Sequence, residues 1–317
     1  MFQPHGAETA AHGGEHAAEA AHEGFNAGET IIEHVSNSPI DHPLIHLPTL
    51  VGIDFSVTKH VLMLWLVAAF VFATVTWIVR RHLAAGRPVP SGAMNGLEFV
   101  VEFVRDSIVL PNVGKKWVHA WTPLMLTFFV FILCANAIGL IPVFDVLGLL
   151  NHWVIHPDHE SFLGSVTHGG TTATANFNVT AALATITFGS IIVAGTRAHG
   201  FIQHWKNLVP HGLAWPIYIL LIPIEIMGLF VKPFALTMRL AANMTGGHIA
   251  ILAILSFVFL FTEMFGQAAA GIGVGLAVSV PLAVGISALE IIVVLVQAYV
   301  FTLLTAVFIG MAIHVHH

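Results

Sequence analysis

Apolar positions in this chain run on in long blocks instead of alternating, and the polar positions collect between the blocks. The first block covers about residues 60–79 and is closed by Arg80 and Arg81. About twenty apolar residues match a hydrocarbon layer of about 30 Å, so the block predicts a spanning helix. Similar blocks at 121–144 and 177–194 predict two more. From Trp215 to His314 the only Asp, Glu, Lys or Arg residues are Glu225, Lys232, Arg239, Glu263 and Glu290. Two helices over about 215–262 and 271–313 fit that stretch. At about 1.5 Å per residue each is roughly 70 Å long. Neither can stand upright in the layer, so both must tilt, bend or break. Pro216, Pro223, Pro233 and Pro281 supply bends, and the turn is expected where Gly266, Gly271 and Gly273 cluster.

One segment breaks the pattern. Glu98, Glu102, Arg105 and Asp106 are threaded among Leu97, Phe99, Val101, Val104 and Ile108, with helical pair spacing from Glu102 to Arg105 and Asp106. So many charges forbid spanning, so 95–110 is expected as an amphipathic helix. It lies along the membrane surface or braces neighbouring subunits; both readings stand. The fold expected is an all-α polytopic membrane protein with about five spanning helices and one surface helix. The last two spans form a long, strongly tilted hairpin.

Composition agrees. The 317 residues are 56% hydrophobic and only 9% charged, against about one quarter charged in soluble domains. The single cysteine, Cys134, excludes a disulfide framework. No basic cluster exceeds the pairs Arg80–Arg81 and Lys115–Lys116, so no nucleic-acid partner is expected. Residues 1–50 form a His-, Ala- and Glu-rich segment, set apart from a membrane domain over 51–317. The segment is expected to be a flexible, solvated tail, and no classical signal peptide is expected in it. His12 and His16 are four apart, and His152, His156, His159 and His168 fall in a polar loop over 145–170. Neither set has the partners of a metal motif, so no metal site is assigned.

The cations set an orientation. Arg80, Arg81, Arg87, Arg105, Lys115, Lys116, Arg197 and Lys206 fall on one side of a five-span topology, and Lys59 alone on the other. The positive-inside rule then places the tail outside and the C-terminus in the cytoplasm.

Chemistry concentrates where charge enters the apolar stretch. A charge at the centre of a bilayer costs at least roughly 2.5–3.5 kcal/mol, so such residues are functional by default. Glu225, Lys232 and Arg239 are spaced by seven and share one helical stripe. Ala241, Ala242, Gly246 and Gly247 follow, small enough to let another helix approach. A fixed cation on a smooth face implies a partner that carries an acid. Mirroring the last two helices about the turn between Gly266 and Gly273 sets His248 level with residue 291 and Arg239 level with residue 300. His248 should thus meet the neighbourhood of Glu290, and Arg239 that of Gln297. A His–Glu pair is a candidate proton relay. A guanidinium does not give up its proton in proteins, so Arg239 can only hold a counter-ion and refuse passage. Alternative roles stand beside these. Arg239 could form a static pair with Glu225 or Glu290, and Lys232 could snorkel to the surface or border a wet path.

MRLAANMTGGH followed some forty residues later by EIIVVLVQAYVF resembles subunit a of the F-type ATP synthases. The TANFNVT opening of the third span is similar too, and the likeness covers about residues 50–317. The resemblance implies that Arg239 faces the carboxylates of a rotating ring of c subunits. It also implies that Asn243, His248, Glu290 and Gln297 line aqueous half-channels, with Glu225, Lys232, Asn176 and Asn178 along the proton path. Asn176 stands where many members carry Asp, which turns that position from proton carriage to hydrogen bonding. The implied setting is a bacterial inner membrane, with the c-ring, a b-type peripheral stalk and the remaining synthase subunits as partners, among membrane lipid. No cofactor and no bond chemistry in this subunit are implied. A rival class is a self-contained ion-coupled secondary transporter, which uses broken helices and midplane charges, but no internal repeat is found. An intramembrane hydrolase would need a nucleophile with its base or an HExxH-type motif, and the spans hold neither.

Overall fold

A computed structural model describes residues 58–86, 89–140, 173–207, 215–265 and 268–314. The tail over 1–50, the loop over 145–170, Arg87 and Gly266 lie outside the described residues.

All regular elements among the described residues are helical. Helix α1 is Lys59–Ala84. Helix α2, Ala93–Glu102, continues through a π-helical segment, Phe103–Val109, into α3, Leu110–Val113. Next come α4, Val118–Leu140, and a 3₁₀ turn, Ala173–Ala175, that leads into α5, Phe177–His199. A short α6, Phe201–Lys206, follows after Gly200. The long helices are α7, Trp215–Phe265, and α8, Ala268–Ile313. Five helices are long and apolar enough to cross a membrane: α1, α4, α5, α7 and α8. Large apolar side chains lie on their outsides, among them Phe72 at 74% and Leu220 at 69% exposure, as lipid-facing surfaces require.

A helix is present over the expected amphipathic segment, but it begins earlier and ends later than 95–110. Its π-helical segment was not expected. The segment ends just before Pro111, whose missing N–H and bulky ring disturb the regular ladder of the preceding turn. The charge pairing also differs from expectation. Arg105 Nε and Nη2 each donate to Asp106 at 2.8 Å, a neighbour-to-neighbour fork in place of a Glu102 pair. The Asp106 carboxylate holds the Arg105 guanidinium above its usual range and is itself held below the usual carboxylate range.

The chain groups into two compact units. One contains residues 249–285, where Gly275 lies so close to the Val258 backbone that a Cβ would come within 2.7 Å of Val258 Cα. The other contains the remaining described residues. Its core joins Val104, Ile108 and Val113 of the amphipathic segment to Trp121, Met125 and Ile132 of α4, Leu236 and Leu240 of α7, and Phe301 and Ile309 of α8. Phe128 and Phe301 meet edge-to-face with centroids 5.5 Å apart. In lipid the hydrophobic effect does not draw helices together, so close packing and hydrogen bonds must. Hydroxyls inside the spans accordingly bond back to carbonyls four residues earlier, as Thr187 does to Leu183 and Thr305 to Phe301. The Thr187 and Thr305 hydroxyls also meet at 3.3 Å, joining α5 to α8.

The cation-rich end of this unit is clasped. His199 Nε2 lies 2.9 Å from the Ile313 carbonyl oxygen, and His314 Nε2 lies 3.1 Å from that of Val113. Gly310 abuts the Asn112 carbonyl so closely that no side chain would fit. The His204 ring of α6 fills the space beside Gly195 of α5. Burial, and then His199 nearby, push the His204 pKa below its ordinary 6.5.

Candidate functional site

Gly246 and Gly247 lie within the unbroken helix α7. Gly247 leaves room for α8, and α8 turns polar side chains toward α7. Gln297 is buried at 4% exposure, and its Nε2 donates to the Arg239 carbonyl oxygen at 2.9 Å. Asn243 Nδ2 donates in turn to Gln297 Oε1 at 2.9 Å. One amide of α8 thus ties down one backbone carbonyl and one side chain of α7. Two turns earlier on α8, Glu290 is buried at 8% exposure with Oε1 against Gly247. Its Oε2 is buried without a hydrogen-bond partner among the described residues. The register agrees with the mirror argument to within a few residues: Arg239 is level with 297 rather than 300, and the Glu290 carboxylate meets Gly247, the neighbour of half-buried His248.

Arg239 itself is exposed, and it has no ion-pair partner among the described residues. The static pairs with Glu225 or Glu290 are therefore not formed here. Ala242, Asn243 and Gly246 are exposed beside it, and nothing lies within 4 Å of a Cβ added at Gly246. A cation on a shallow, open helix face is the result. The small residues divide their work. Ala242 and Gly246 keep the outer face low, whereas Ala241 is buried and Gly247 makes room for Glu290.

The other sequence-derived residues lie apart from this group. Glu225 and Lys232 are half-buried further back along α7, and Lys232 Nζ stands 5.6 Å from the centroid of the Phe308 ring. Asn176 caps α5, its Oδ1 accepting from the Asn178 N–H at 2.8 Å, while Asn178 is exposed. Two polar contacts were not expected from the sequence. Thr174 Oγ1 donates to Asn136 Oδ1 at 2.5 Å in a fully buried setting, and Thr245 Oγ1 donates to the Ala175 carbonyl at 3.3 Å. Together they link α4, the 3₁₀ turn and α7 just beside the Glu290 turn. The buried Nδ2 of Asn136 lacks a partner among the described residues, which suits a bound water. Among the described residues no three His, Cys, Asp or Glu side chains gather as a metal would require.

A family model described as ATP synthase A chain matches residues 61–310. "ATP synthase subunit a 2" of Chlorobium luteolum is 39% identical, covering 94% of this chain and 79% of that protein. "ATP synthase subunit a" of Myxococcus xanthus is 40% identical over 84% of this chain and 75% of that one. The protein of the same description from Anaeromyxobacter dehalogenans is 37% identical over 96% and 75%. The rival transporter class finds no support in these likenesses.

Proposed function

This chain belongs to the ATP synthase A chain family, a non-catalytic membrane subunit, and from that premise we propose that it is the stationary proton path beside a rotating c-ring. The observation that carries the reading is the exposed Arg239, without an ion-pair partner among the described residues, on an open small-residue face with its backbone anchored by Gln297. A guanidinium left bare at membrane depth needs an anion from another chain, and a ring carboxylate meets that need. The open face beside Ala242 and Gly246 lets a ring helix come close.

The chemistry follows from charge. A ring carboxylate arriving neutral from lipid gives up its proton near Arg239, because the guanidinium favours the ionised form. At about 4 Å and an effective dielectric near 20 the attraction is about 4 kcal/mol. That is up to about three pKa units before the cost of desolvation. Glu290, with His248 at the neighbouring position, offers the proton relay on one approach, and Asn243 and Gln297 line it. Glu225, Lys232, Asn176 and Asn178 belong to the wet margins of the path. A proton from the opposite approach neutralises the carboxylate again, and the ring site returns to lipid. Arg239 bars a direct jump between the two approaches, so transport must turn the ring. The b-type stalk holds this chain against that torque. Both fit a bacterial inner membrane, with the cation-rich ends in the cytoplasm.

The test is ATP-driven proton uptake by vesicles that hold the assembled complex. Arg239→Ala should abolish uptake while leaving a passive proton leak. Equal uptake by the native and Arg239→Ala complexes would make Arg239 a packing residue and end the proposal.

A further inference from the structure

Away from this site, the cation-rich end of α1 borders a cavity of about 690 Å³. Trp77, Arg81 and His82 line it from α1, and Ser91, Gly92 and Ala93 line it from the approach to α2. Helix α1 is a candidate span over His60–Ala84, so Arg81 and His82 lie in its last turn, at the depth where a spanning helix meets headgroups. Trp77, one turn deeper and 58% exposed, occupies an interfacial aromatic position.

Three observations suit a lipid phosphate. The Arg81 guanidinium carbon stands 5.3 Å from the centroid of the Trp77 ring. That contact sets the cation over an aromatic ring, and the five N–H donors of a guanidinium match the oxygens of a phosphate. Among the described residues no carboxylate comes within ion-pair distance of Arg81. Below the cation, Leu66, Phe70 and Trp77 are all exposed and recur at helical spacing, forming an apolar stripe that leads to Arg81. A free phosphate ion has no use for such a stripe, whereas an acyl chain does.

We propose that this cavity binds the phosphate of an anionic phospholipid. Arg81 holds the phosphate oxygens, His82 and Ser91 border the headgroup, and an acyl chain lies along Trp77, Phe70 and Leu66. Arg80 precedes Arg81 in the sequence but does not line the cavity, and it supplies the internal control.

The experiment uses the assembled complex in phosphatidylcholine vesicles that carry a trace of photoreactive phosphatidylglycerol, with cross-links mapped by peptide. Labelling should concentrate on the peptide that contains Trp77–Met94. It should fall about fivefold in Arg81→Gln, as loss of one interfacial cation predicts, and change little in Arg80→Gln. Equal losses in the two variants would reduce the effect to diffuse surface attraction and overturn the site. So would equal labelling by a photoreactive phosphatidylcholine. Displacement of the label by excess inorganic phosphate would identify a free-anion pocket and overturn the lipid assignment.

Discussion

A Cβ added at Gly247 would collide with Oε1 of Glu290, the free end of a flexible side chain, so the chain can accept the methyl group only by swinging the carboxylate away. Gly247→Ala is therefore expected to fold and assemble normally while displacing the proposed relay group. A misplacement near 1 Å costs on the order of a hundredfold where geometry governs transfer. ATP-driven pumping by the assembled variant should drop by about that factor or somewhat less, and Glu290→Asp in the same chain, one methylene shorter, should restore part of it. Unchanged pumping in Gly247→Ala would remove Glu290 from the path. Arg239 was legible in the sequence, because a charge inside an apolar run advertises itself. Gly247 was legible only as a small residue. Which of four small residues meets an acid, and which meet open space, depends on the rotation of α7 against α8, and helical spacing alone does not set that rotation.

The pairing of α7 with α8 carries its own prediction. In a chain whose Cys134 is replaced by serine, Asn243→Cys with Gln297→Cys should be bridged rapidly by a short bifunctional thiol reagent. The pair Asn243→Cys with Leu304→Cys, two turns out of register, should not. Bridging of the second pair in preference to the first would refute the register. Much of this element-level picture could be read in advance. Unbroken apolar runs gave the spans, and mirroring about a glycine-rich turn came within three residues of the observed contacts. The π-helical segment at Phe103–Val109 was harder, because Pro111 announces a disturbance without saying how the helix absorbs it. The Thr174–Asn136 contact could not be read at all. It joins a span to a turn, and no periodicity connects those two positions.

At the scale of the whole molecule, the histidine clasp brings the ends of α3, α5 and α8 to one place, where Lys115, Lys116 and Arg197 also lie nearby in sequence. Ends that meet must lie on the same side of a bilayer, as an odd number of spans requires for the C-terminus of α1 and that of α8. A membrane-impermeant maleimide should therefore label Lys115→Cys and Lys206→Cys from the same side. On the orientation proposed from the cation bias this side faces the cytoplasm, so inverted vesicles should react and intact cells should not. Labelling from opposite sides would break the five-span topology. The clasp also orders events in time. His314 reaches back 201 positions to Val113, and Ile313 reaches back 114 to His199. Neither contact can form while the ribosome is still making α8, so the earlier spans enter the bilayer with their cation-rich ends unfastened. That end of the bundle closes only after the end of α8 has left the ribosome, and a message cut short a few codons before His314 would yield every span without the fastening.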